Sequence, residues 1–187
     1  FAIFEPNFVG AMWDEGVAVR GAAGAAAVYW NQIADFGRKY LSGAQGVARI
    51  GELGQKVIAA TPTMGLPMFA GWRAMPLAED DAAQALQVLF VLRELRGDVH
   101  FNLLSNSGIT AVESHMLHGG AEYTRMFGWP EPFADGAGKE VRYAEVEAAT
   151  NHRMTQIFDA ALDRGEIEEL ARLSSGALEY LKAHVPG

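Results

Sequence analysis

Cysteine is absent from this chain of 187 residues. That excludes disulfides, thiolate metal sites and cysteine nucleophiles. Long apolar runs are missing too: no stretch reaches the roughly 20 residues that a bilayer-spanning helix needs, so a membrane is excluded as a partner. Positive charge is scarce, with 15 Lys and Arg against 23 Asp and Glu, a net charge of -8 and a pI near 5.1. Phosphate backbones and anionic lipid require a basic footprint, and none stands out, so the expectation is no nucleic acid partner. No signal peptide is recognisable, which fits a cytoplasmic protein. Strand-like alternation of any length and repeats of fixed period are also missing.

What is present is apolar helical periodicity. Half of the residues are hydrophobic, enough for a sizeable core in one domain over residues 1–187. The expectation is an all-α, single-domain bundle of about seven to nine helices around a buried central helix, with residues 143–187 as a C-terminal helical appendage. That central helix starts near Asp80. From Ala82 to Leu92 only Gln84 and Gln87 are polar, so a helix here has little face to offer water. Arg93, Arg96 and His100 then follow at helical spacing, with Glu94 and Asp98 on a neighbouring face, unless Gly97 ends the helix first. Ser105-Asn106-Ser107-Gly108 is a turn signal. Thr110 and Glu113 make a capping box for the next helix, which carries His115 and His118 before Gly119-Gly120 interrupts it.

Elsewhere, a helix is expected to begin near Pro6, with Asp14 and Glu15 on a solvated face beside Trp13. A small-residue helix carries Tyr29, Trp30, Ile33 and Phe36, and another occupies residues 43–60. Thr61 to Pro67 reads as a loop, followed by the unusually apolar Met68, Phe69 and Trp72. Pro130 to Gly138 is the clearest loop. Two final helices follow, the last split or capped around Ser174-Ser175-Gly176.

The central stretch resembles a family of actinobacterial all-helical proteins often labelled helix-turn-helix. The resemblance is carried by Leu92-Arg93-Glu94-Leu95-Arg96-Gly97-Asp98-Val99-His100, then Glu113 and His118, then Gly128-Trp129, with weaker echoes at Glu5-Pro6 and Phe36-Gly37-Arg38. Members tend to carry a His where this chain has Phe8, and they close with a winged-helix-like segment where this chain has two ordinary helices. The resemblance implies an all-helical fold and no particular activity.

Two readings of the polar residues compete. In the first, Asp98, His100, Glu113 and His118 converge as an acid-base cluster, because a carboxylate fixes the tautomer of an imidazole and supports its charged form. Arg96 then holds an oxygen of a mostly apolar small molecule, and Trp13, Trp30, Met64, Met68 and Trp72 wall its pocket. This points to a cofactor-independent isomerase, cyclase, lyase or hydrolase, or without catalysis to a ligand-binding or regulatory module. A metal or haem at His100, Glu113, His115 and His118 is the minority variant, since bundles build such sites from facing helices. In the second reading, Arg93, Arg96, Asp98 and Glu113 form a structural ion-pair network, with His100 and His118 as satisfied core histidines. A homodimer through an exposed apolar patch remains open.

Overall fold

A computed structural model describes residues 3–186; Phe1, Ala2 and Gly187, the ends of the span taken above as one domain, lie outside the described residues. Among the described residues there are seven helices and no strand: α1 (Pro6–Leu41), α2 (Val47–Ala60), α3 (Pro67–Arg73), α4 (Asp81–Asn106), α5 (Ala111–Met126), α6 (Glu140–Ala161) and α7 (Arg164–His184). The all-α expectation and its helix count hold. Two compact units are built from them: one from Phe1–Ala25 and Val99–His152, the other from Ala26–Asp98 and Arg153–Gly187.

In the second unit the core is Leu41, Ile50, Leu53, Val57, Phe69, Val88, Val91 and Leu95, joined by Leu170 and Leu173 of α7. Helix α4 starts where Asp80 accepts the backbone N–H of Ala83 (3.0 Å), the usual role of an aspartate at a helix start. Gly97 does not end it, so Arg93, Glu94, Arg96, Asp98 and His100 share one uninterrupted helix. The buried Gln87, one of its two early polar residues, accepts the N–H of Ala78 at 2.8 Å. A polar group inside an apolar helix is tolerated when it is bonded in this way.

Other expectations shift. The apolar stretch after Pro67 is not a loop but a seven-residue helix, α3, with Pro at its start and Phe69 fully buried. Helix α7 is not split at Ser174-Ser175-Gly176, since it is capped firmly at Asp163 with Glu166 and packs against α2. Helix α1 reaches α4 at Gly37, where a Cβ would lie 2.7 Å from the carbonyl oxygen of Ala82 and 2.9 Å from the Cα of Ala83. Only a residue without a side chain lets these backbones approach so closely.

In the first unit Leu104, Ile109 and Val146 form the buried cluster, with Leu103, Leu117 and Tyr143 packed against it. The indole N–H of Trp129 donates to the carbonyl of Ile3 (3.1 Å), and Glu5 N–H to that of Phe127 (2.9 Å). Residues 11–20 of α1 are exposed on every side. Asp14 and Glu15 are therefore solvated as expected, but Met12 and Trp13 are 60% exposed as well.

Gly37→Ala pushes a methyl into backbone that cannot swing aside. It should cost about 1–3 kcal/mol, as overpacking does. At Gly10 nothing lies within 4 Å of an added Cβ, so Gly10→Ala should be neutral or stabilising by up to about 1 kcal/mol through helix propensity. Thermal melts followed by circular dichroism distinguish the two.

Candidate functional site

The polar residues singled out in the sequence are each taken up by near neighbours. Asp98 is buried, and its carboxylate accepts the N–H of Phe69 at 2.8 Å and a further backbone bond from Met68. It thus satisfies the free N–H groups that open α3. Burial pushes its pKa up, against the pull of those two donors. One turn earlier Glu94 is also buried, and desolvation raises its pKa while the bonded Arg93 opposes. Arg96 lies on the exposed side of the helix.

In the first unit His100 is mostly buried, its Nδ1 3.3 Å from the Thr150 hydroxyl and 3.5 Å from the Glu147 carboxylate, both on α6. Glu113 accepts the backbone N–H of Thr110 (2.8 Å) in the capping box, and both its oxygens lie 2.7 Å from Lys139 Nζ. The hydrogen bond from Lys139, then that from Thr110, holds this carboxyl below its ordinary range. His118 is exposed and its Nδ1 is 3.2 Å from the Tyr143 hydroxyl. The structure therefore pairs Glu113 with Lys139, His118 with Tyr143, and His100 with Thr150 and Glu147. Nothing in composition or spacing marked Lys139, Tyr143, Glu147 or Thr150, because these contacts join residues distant in sequence.

His115 is 7% exposed, its ring stacked on Phe127 (4.2 Å between centroids) and edge-on to Tyr123. Its Nδ1 has no hydrogen-bond partner. Burial first, and His118 second, lower its pKa, so the ring stays neutral. Among the described residues no three His, Asp or Glu side chains are gathered as a metal site would gather them.

The residues expected to wall a pocket are dispersed in character. Trp30 is buried, donates its indole N–H to the carbonyl of Pro76 (2.6 Å) and stacks on Trp72. Met64 is 93% exposed, Trp13 60% exposed and Met68 half-buried.

One local geometry has a recognisable form. Helix α4 ends at Asn106, a turn of residues 107–110 follows, and α5 starts at Ala111. Gly108 sits in the left-handed region (φ 78), Ile109 drops into the core, and Thr110 caps α5. Lys139 Nζ ties the turn down from outside by bonding the carbonyl of Gly108 (3.1 Å) as well as Glu113. A tight turn containing glycine between two helices is the supersecondary unit of many DNA-binding domains.

The chain matches a family model described as Helix-turn-helix family over residues 1–184. No curated protein and no solved structure matches it. That match overturns two expectations: the enzyme or ligand-binding module acting on a mostly apolar small molecule, and the exclusion of nucleic acid as a partner. Both errors have physical sources. Histidines and carboxylates in an apolar helical chain resemble acid-base machinery when their bonding partners are invisible. Net charge averages over a surface of which a helix-turn-helix uses only a small part.

Two outcomes test the bonding described here. Glu113→Ala removes the capping box and the Lys139 pair together, and should cost about 1–2 kcal/mol of stability in urea melts. Glu94→Gln tests the buried carboxylate. Because the folded-state pKa of Glu94 lies above its ordinary 4.5, the folded form binds the proton more tightly and stability is lost as pH rises through that folded-state value. The variant should lose less stability than wild type between pH 4.5 and neutrality.

Proposed function

The chain belongs to this helix-turn-helix family, and on that premise we propose that it is a DNA-binding regulator which presents α5 as its recognition helix. The observation that carries the reading is the turn at 107–110, with its left-handed Gly108, buried Ile109 and capped Thr110. In such units the second helix enters the major groove, and residues near its start meet base edges. The exposed polar groups here include Ser105, Asn106 and Thr110 at the turn and His118 and the carboxylate of Glu122 farther along α5. Arg125 follows them, already paired with Glu131. A regulator of this kind works where the DNA is, and no helix of the described residues is long and apolar enough to cross a membrane. Two copies would read two half-sites about 34–36 Å apart.

Charge shapes the mode of binding. Arg20, Arg125, Lys139 and Arg142 are the lysines and arginines of the unit that holds the turn, and carboxylates outnumber them. Each neutralised phosphate adds about 0.9 to the slope of log affinity against log salt. This protein should therefore bind with a shallow slope and little non-specific affinity, relying on base contacts.

Selection from a random duplex pool, followed by anisotropy titration, tests the proposal. The expected result is enrichment of a defined sequence, a salt slope below about 4 from so few phosphate contacts, and a roughly tenfold loss for Asn106→Ala or His118→Ala at unchanged melting temperature. Folded protein that enriches no sequence at low salt overturns it, as does binding that is indifferent to both variants.

A further inference from the structure

The second unit carries an open groove of about 420 Å³ between α1 and α4. Tyr29, Ile33 and Phe36 form one wall, Leu86, Leu89 and Phe90 the other, and Gln32 and Arg93 are the polar groups of its lining. The spacings i, i+4, i+7 and i, i+3, i+4 put each wall on a single helix face. These are second apolar faces. On the same helices Trp30 and Ala34, and Val88, Val91 and Leu95, are already buried in the core, while Tyr29 is 47% and Phe36 39% exposed. A continuous apolar surface of this kind marks a place that something covers.

The charges at its ends say what. Gly37 lies against Ala82 and Ala83, and the Tyr29 ring is 5.7 Å from that of Phe90, so the two helices run antiparallel. The end beside Tyr29 carries the guanidinium of Arg93, 75% exposed although bonded on one side to the carboxylate of Glu94. The other end carries Asp35, Glu79, Asp80 and Asp81, all exposed. Arg38 bonds to two of these, Asp35 and Asp80, and Lys39 lies nearby, which still leaves that end acidic. A body that fills this groove well is apolar along its length, acidic at one end and basic at the other, in reversed order. The same face of a second copy, turned by half a rotation, has that character, and each Arg93 then meets the other copy's acidic end. An isologous contact satisfies both ends at once.

We propose that the chain forms a two-fold homodimer through the α1–α4 groove, with α1 of each copy laid antiparallel over α1 of the other, and α4 over α4, as in a four-helix bundle. The inference goes beyond DNA binding and does not depend on it, since association is measured with no DNA present.

The test combines sedimentation with cross-linking. Wild type should sediment as a dimer at about 10 µM, weakening as salt screens the end charges. Phe36→Glu, at an exposed ring, should raise the dimer Kd at least about tenfold with helix content unchanged. The chain has no cysteine, so a single introduced thiol reports position even if that variant fails to fold. Gln32→Cys at the groove's middle should give covalent dimers with a short bis-maleimide, and Met64→Cys should not. A monomer up to about 100 µM overturns the proposal. So does a dimer that cross-links through Met64→Cys and not Gln32→Cys, or a monomer retaining an apolar small molecule in native mass spectrometry.

Discussion

Helix α4 cannot meet water around most of its circumference, and the packing of the second unit follows from that constraint. From Ala82 to Leu95 its apolar side chains point in nearly every direction, and such a helix is stable only when neighbours cover it. Helix α1 covers one side by coming close at Gly37; α2 covers another, with Gly54 so near Val88 that an added Cβ would sit 2.2 Å from its Cγ1. The polar groups that α4 carries into this environment are bonded or shifted: Gln87 reaches the backbone of Ala78, Asp98 serves α3, and burial raises the pKa of both Glu94 and Asp98. One side chain thus ties two elements together, since the carboxylate of Asp98 on α4 is what finishes the hydrogen bonding of α3.

How much of this was legible depends on the range of the interaction. Helix α4, the Thr110–Glu113 cap and the interruption of α5 at Gly120 are written in local sequence, because periodicity, capping and glycine act within a few residues. Helix α3 was not legible. Its seven residues begin at a proline and follow Pro62 and Gly65, the punctuation of a loop, and its start is satisfied from Asp98, 29 positions from Phe69. The same holds for the polar residues of α5 and α6. That Glu113 would meet Lys139, and His118 Tyr143, across 26 and 25 positions has no local signature. Asp98, His100, Glu113 and His118 were read from the sequence as one acid-base cluster, whereas each is bonded to a different partner in the fold.

The functional reading turned on the same distinction. A turn signal at Ser105–Gly108 followed by a capping box was visible from the start, and the structure has that turn and cap between α4 and α5. Overall acidity pointed away from nucleic acid because net charge is a property of the whole surface. Recognition by a helix in a groove depends instead on a handful of groups and on the rigidity of the turn presenting them. Here rigidity is supplied by Lys139, whose ammonium bonds the carbonyl of Gly108 and the carboxylate of Glu113 together.

His115 lies just beyond that turn, buried among Phe127 and Tyr123 with one ring nitrogen unbonded. Its neutral form suits this apolar setting and its charged form does not, so its pKa is depressed below the ordinary 6.5. As pH falls through 6.5 the unfolded chain takes up a proton that the folded one resists, and the unit's stability declines. Acid therefore loosens this unit from within, through the packing of His115 against Phe127 and Tyr123.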